Sequence, residues 1–139
     1  MYHLVYLSRA TQPLGQDNLL NLLRVSRDNN GRAGLTGMLL YAHERFFQVL
    51  EGPQAVVKRT AGRIADDPRH TSMQVLLEEP IRDRSFVQWA MGFIPTDSLP
   101  ADTQTAFTTM LLQPPSGSTD GGSHRMLRLL LQTFRHGVL

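Results

Sequence analysis

A glutamine interrupts one of the most apolar runs of this chain. Gln48 lies within Phe46-Phe47-Gln48-Val49-Leu50, and strand alternation puts it on one face with Phe46 and Leu50. A buried amide without partners costs ~1–3 kcal/mol per unsatisfied group. A buried Gln48 therefore has to meet something polar, and its two ends have opposite hydrogen-bonding character. The plain alternative is an edge-strand side chain facing water. Tyr6, in YHLVYLS, shares a face with Tyr2 and Leu4, and its hydroxyl needs a partner if buried; taken alone, it reads as packing. Asn29-Asn30 follow a run of helical spacing. An Asn offers a donor and an acceptor together, which matches a planar ring edge presenting an imide N–H beside a carbonyl. The alternative for the pair is a helix C-cap.

Other chemistries find little support. The chain has no Cys, which excludes disulfides, thiolate metal sites and cysteine nucleophiles, and fits a cytoplasmic address. Its His residues, at 3, 43, 70, 124 and 136, form no i, i+4 metal pair. No Ser/His/Asp set or paired-carboxylate signature appears, so neither an enzyme nor a metal site is expected. The net charge of +2 is spread among acids, as in RIADDPRH and EEPIRDR. Together with the missing basic-aromatic RNA motif, this argues against nucleic-acid binding. The start MYHLVYLSRA reads as a strand and not as a leader, and no apolar run reaches the ~18–20 residues of a membrane span. With 139 residues, a single compact domain is expected.

The elements that must position these residues follow from periodicity and punctuation. Residues 2–8 read as a strand, broken by 11–15. Leu19, Leu20, Leu22, Leu23 and Ser26 give helical spacing over 18–29, and Asp28-Asn29-Asn30-Gly31 predicts its stop. Strands are expected at 34–42 and 45–51, turning at His43-Glu44. A helix at 54–66, through Val56, Val57, Ile64 and Ala65, ends at Asp66-Asp67-Pro68. Strands at 72–77 and 88–95 flank a charged connection at 78–84. The order predicts an α+β, ferredoxin-like βαββαββ sheet with two helices on one face. Residues 97–139 are expected to cap the other face within the same globule. In that segment 100–112 is weakly helical, 113–123 is a Pro/Gly/Ser loop, and 124–134 puts Leu127, Leu130, Leu131 and Phe134 on one stripe.

Taken together, these features resemble a known family. The segment AGLTGMLLYAHERFFQVLEG at 33–52 is similar to the central signature of BLUF domains, blue-light sensors that use FAD. The matching residues are Leu35-Thr36-Gly37 and Phe46-Phe47-Gln48-Val49-Leu50-Glu51-Gly52. Upstream, Tyr6 in VYLSRA and Asn30 match; downstream, Asp67-Pro68-Arg69-His70 and Trp89-Ala90-Met91 match. The resemblance covers about residues 2–95, as a domain at 1–96 with 97–139 as its extension. It departs in two places: Asn29 stands where some relatives have His, and Pro68 lies inside the Asp-x-Arg-His element.

The resemblance implies roles residue by residue. Tyr6 would donate an electron to photoexcited flavin, and Gln48 would link the Tyr6 hydroxyl to the flavin and rearrange. Asn30 would hold the far edge of the ring, with Asn29 beside it. Arg69 would lie near the other carbonyl, and Asp67 and His70 nearer the ribityl chain. Leu22, Leu23 and Ile64 could form apolar walls, although ordinary core is the simpler reading of each. Trp89 or Met91 would repack and carry the change along the fifth strand to the cap. With no output domain expected in the chain, the implied partners are a separate effector protein and further copies of the chain, at least as a dimer. The competing reading is an adaptor of this fold that binds flavin without responding to light, or binds none; the presence of both Tyr6 and Gln48 argues against it.

Overall fold

The chain was analysed as a computed structural model that describes residues 1–86, 91–93 and 101–112. The elements run β1 (Tyr2–Ala10), α1 (Gln16–Ala33), β2 (Thr36–Ala42), β3 (Arg45–Gly52), α2 (Gln54–Ala65), β4 (His70–Pro80), β5 (Gly92–Phe93) and α3 (Ala101–Leu112). The sheet has five strands in the order β4-β1-β3-β2-β5. β1 is antiparallel to both β3 and β4, β2 is antiparallel to β3, and β5 pairs parallel to β2. Each βαβ crossover skips a place in the sheet that a strand of the other fills, which is the ferredoxin-like arrangement expected.

Alternation divides the sheet into two cores. On one face Tyr2, Leu4, Tyr6, Leu39, Phe46 and Leu50 pack with Leu22 and Leu23 of α1 and Val57 and Ala61 of α2. On the other, Val5, Leu7, Met38, Leu40, Phe47 and Val49 pack with Leu76, Leu77, Phe86 and Phe107. Phe107 brings α3 to this second face, its ring edge-on to Phe47 with centroids 5.5 Å apart. The helix expected at 124–134, the loop at 113–123 and Trp89 lie outside the described residues. Of the strand expected at 88–95, the described part is Gly92–Phe93, and Met91 immediately precedes it.

Local chemistry explains the turns. His43 and Glu44 have φ of 53° and 61°, the two left-handed residues that a tight two-residue hairpin demands. Gly37 is required by a close approach: a Cβ there would lie 1.9 Å from the Val49 carbonyl oxygen across the β2–β3 ladder.

The stop expected at Asp28-Asn29-Asn30-Gly31 is overturned, because α1 continues to Ala33. Gly34 supplies the left-handed cap at φ 75°, and the Leu35 N–H closes onto the Asn30 carbonyl at 2.9 Å. Asn29 and Asn30 are therefore helical, and the capping reading of the pair fails. Their weak helix propensity yields to burial of Asn30 and to a better cap four residues on. β4 is longer than expected: at this sheet edge Glu78 is exposed and Glu79 pairs with His3 of β1 at 3.1 Å.

One buried carboxylate fastens the second face. Glu51 is 0% exposed. It accepts hydrogen bonds from the Thr36 hydroxyl at 3.0 Å, the Ser85 N–H at 2.6 Å and the Phe86 N–H at 2.9 Å. Arg84 adds bonds to the Thr36 hydroxyl oxygen at 2.9 Å and the Gly34 carbonyl at 2.7 Å. The chain leaving β4 is thereby tied to β2 and β3.

Candidate functional site

The β1–β3 register places Tyr6 opposite Gln48, and the β2–β3 register places Leu39 on its other side. Gln48 is thus on an inner strand and 5% exposed, which rules out the solvent-facing alternative. Tyr6 is fully buried and its hydroxyl donates to Gln48 Oε1. Burial, with a smaller contribution from the charge of Asp67, pushes the Tyr6 phenol well above its ordinary pKa, so it stays protonated and able to donate. With Oε1 engaged, the other end of the amide donates: Gln48 Nε2 lies 3.7 Å from Met91 Sδ. A thioether is a weak acceptor on a flexible stem, so this end of the amide is held more loosely than the tyrosine end.

Gln48 forms part of the floor of a cleft between the two helices. α1 contributes Leu22, Val25, Ser26, Asn29 and Asn30, and α2 contributes Thr60, Arg63 and Ile64. Leu39 joins Gln48 below, and Asp67, Arg69 and His70 close one end. The cleft holds about 710 Å³ of space between atoms when its open mouth is included. Leu22, Val25, Leu39 and Ile64 give it aliphatic surface, Asn29, Asn30 and Gln48 bring amides, and the exposed Arg63 and Arg69 bring guanidinium groups. Thr60 Oγ1 is buried beside the cleft with no hydrogen-bond partner. A buried orphan hydroxyl costs ~1–3 kcal/mol, so its presence points to a polar ligand.

The closing end is a turn built for rigidity. The His70 N–H bonds the Asp67 carbonyl at 3.0 Å, which puts Pro68 at the second position of a tight turn, where its fixed φ is favourable. Pro68 thus suits the motif it interrupts. The Thr11 hydroxyl donates to the Pro68 carbonyl at 2.8 Å. The Arg69 guanidinium forks onto both oxygens of Asp67, at 2.7 to 3.2 Å. These bonds hold the Asp67 carboxyl down at about 2 despite partial burial. His70 shares a hydrogen bond with Ser8 at 3.0 Å and packs against Phe46 with ring centroids 4.5 Å apart. Burial lowers its pKa, outweighing the attraction of Asp67, so the ring is neutral at pH 7. The β1–β4 register shifts between Leu7 and Arg9, where Ser72 adopts φ 55°. Such a bulge re-aims the side chains beside it.

Of the residues singled out from sequence, Leu22, Asn29, Asn30, Gln48, Ile64, Asp67, Arg69 and His70 line the cleft. Tyr6 stands behind Gln48, and Met91 is buried against its amide. Leu23 does not line the cleft and packs in the helix-side core. Sequence reasoning missed Val25, Ser26, Leu39, Thr60 and Arg63. Helical spacing from Leu22 and Ile64 could have found Val25, Ser26 and Thr60, and Thr60 in turn Arg63; Leu39 needed the hairpin register.

A family model described as sensors of blue-light using FAD, BLUF, matches residues 1–92. The chain belongs to the BLUF family. Every residue lining the cleft falls inside the matched span. BLUF domains are flavin-binding sensor modules and not catalytic ones. A cleft with aliphatic surface from Leu22, Val25, Leu39 and Ile64, three amides, an orphan hydroxyl and rim cations fits a flavin, whose ring is planar and apolar on its faces and polar at its edge.

Among curated relatives, photoactivated adenylate cyclase subunit beta of Euglena longa is 29% identical over 123 residues, which is 81% of this chain. The alpha subunit of Euglena gracilis is 32% identical over 112 residues, or 79% of this chain. The chain spans 14% and 11% of the lengths of these two relatives. Among solved structures, BlrB, a BLUF protein in its dark state, superposes with a TM-score of 0.79 at 26% identity, covering 99% of this chain and 96% of that one. BlsA in its photo-activated state gives 0.73 at 32% identity, covering 94% of each. Among the described residues no helix is long and apolar enough to cross a membrane.

Proposed function

We propose that this BLUF domain is a blue-light photoreceptor whose switch is the Tyr6–Gln48 pair, with FAD as its flavin. The observation that carries the reading is the buried chain of bonds from the Tyr6 hydroxyl through the Gln48 amide to Met91, set in the floor of the cleft. When bound, the flavin supplies absorption of blue light and, once excited, an acceptor for an electron. Tyr6 is the donor, and its hydroxyl proton leaves along the bond to Gln48 Oε1. Gln48 then rotates or tautomerises before electron and proton return to Tyr6, and its amide ends with donor and acceptor ends exchanged. That changes what it offers the flavin edge, which should shift the flavin absorption to the red.

Asn30 would hold the ring edge remote from Gln48, with Asn29 beside it. Arg69 would face a ring carbonyl from the closing turn, and Asp67 and His70 would lie nearer the ribityl chain. Leu22 and Ile64 line the aliphatic walls. Arg63, exposed at the rim, favours a flavin carrying phosphate, which supports FAD or FMN over riboflavin. Met91 and Trp89 pass the change toward the segment 97–139, which we read as a cap within the same globule; Phe107 packed on Phe47 supports this. The output is a changed association with a separate effector protein, or between copies of the chain as a dimer or larger, in the cytoplasm.

Purified protein supplied with FAD should be yellow and should release FAD on denaturation. It should cycle reversibly after a blue flash, and Tyr6→Phe should bind flavin yet not cycle. A protein that stays colourless after flavin is supplied would sink the reading. Elution on size exclusion, compared in dark and light with and without candidate partners, tests the association; identical profiles in every pairing would count against it.

A further inference from the structure

The two neighbours of the Gln48 amide are held in different ways. Tyr6 is fixed by the β1–β3 ladder. Met91 lies just before β5, whose ladder with β2 is two pairs long, Met38↔Gly92 and Leu39↔Phe93. So short a pairing constrains the chain weakly. Upstream, Ser85 and Phe86 are tied to Glu51, but that anchor stands on the opposite face of the sheet. Met91 itself is held from α1: Arg27 Nε donates to the Met91 carbonyl at 2.9 Å, joining positions 64 apart in the chain. Arg27 does not line the cleft, although its neighbours Ser26, Asn29 and Asn30 do.

We propose that Arg27 is a positioning residue for the switch. By fixing the Met91 carbonyl it sets the Met91 sulfur where the Gln48 –NH₂ can donate to it. Guanidinium to carbonyl is a charge-assisted bond from a rigid, planar donor. Methionine has three rotatable side-chain bonds, and with Met91 packed in the core the place of its sulfur follows from where its backbone is held. The sulfur then favours one orientation of the amide, because it can accept from the nitrogen end and has nothing to offer the oxygen end. Arg27 therefore biases Gln48 toward its resting orientation without touching the cofactor. In light, the consequence rests on the photoreceptor reading; the positioning itself does not.

The test uses flavin-loaded full-length protein labelled at methionine methyl groups, with the Met91 resonance identified through Met91→Leu. Arg27→Leu keeps an aliphatic stem on an exposed helical position and removes the donor. It should leave flavin content unchanged, move the Met91 methyl resonance in the dark, and slow the return from the light state by about 2- to 10-fold, the range one such hydrogen bond commands. Arg27→Lys retains a donor and should restore both. If the Met91 resonance in Arg27→Leu coincides with that of the unaltered protein, or if Lys and Leu act alike, the proposal is overturned. Should the unaltered protein show no light response, the photoreceptor reading fails, and the dark-state resonance still decides the role of Arg27.

Discussion

At the residue scale, the site is a set of polar groups whose needs are met unequally. Tyr6, Gln48 and Met91 satisfy one another in sequence, whereas Thr60 Oγ1 is buried without a partner. Replacing the hydroxyl with a methyl of the same shape, Thr60→Val, should raise the stability of the flavin-free protein by about 1 kcal/mol and weaken flavin binding. A urea midpoint and a flavin titration on the same variant check both directions; weakened stability with unchanged flavin affinity would contradict the assignment. His70 gives a pH dependence. Its folded pKa lies below the ordinary 6.5 because of burial, so the unfolded chain takes up a proton more readily than the folded one. The contribution is fully present above about pH 6.5 and is lost as pH falls through the lower folded value. The urea midpoint should drop between pH 7 and pH 5.5 in the unaltered protein and drop less in His70→Gln. Tyr6 and Gln48 were legible in the sequence only together, through their place with Asn30, Arg69 and Met91 in the ordered family pattern; alone, Tyr6 reads as packing and Gln48 as an edge-strand amide. Arg27 was not, since a helical arginine reads as a solvated side chain until the carbonyl it bonds, 64 residues on, is in view.

At the scale of elements, the ferredoxin-like order and the hairpin were legible because their signals are local: alternation in the strands, and His43-Glu44 between them. The end of α1 was misread because Asp28, Asn29, Asn30 and Gly31 are turn formers by propensity. Burial of Asn30 and the left-handed cap at Gly34 decide the outcome, and both depend on the rest of the fold. The role of Glu51 was hidden for the same reason, since its partners arrive from β2 and from the chain after β4. Glu51→Ala would remove the acceptor from the N–H groups of half-buried Ser85 and buried Phe86. We expect a loss of about 3 kcal/mol, read by denaturant unfolding. A loss below about 1 kcal/mol would mean that the loop finds other partners and that Glu51 does not fasten it.

At the scale of the whole molecule, one sheet separates two tasks. The face toward α1 and α2 carries the cleft, and the opposite face carries Met38, Val49 and Phe47, with the Phe107 ring of α3 edge-on to Phe47. Phe47 and Gln48 are consecutive on β3 and point to opposite faces, so a change at the amide is one residue from the α3 contact. Phe107→Ala should cost about 3 kcal/mol of stability through the cavity it opens, measured by thermal unfolding, and should leave the flavin cleft intact. The sequence showed a helical pattern at 100–112 but not the T-shaped pairing of Phe107 with Phe47, because a single aromatic on a weakly amphipathic helix does not name its partner. The central claim is that Gln48 converts absorbed light into a changed hydrogen bond. The most direct measurement is the light-minus-dark absorption difference of the flavin-loaded protein beside that of Gln48→Leu. A reversible red shift in the unaltered protein and none in the flavin-bound Leu variant is the predicted result. A full shift in Gln48→Leu, or none in the unaltered protein with flavin bound, would contradict it.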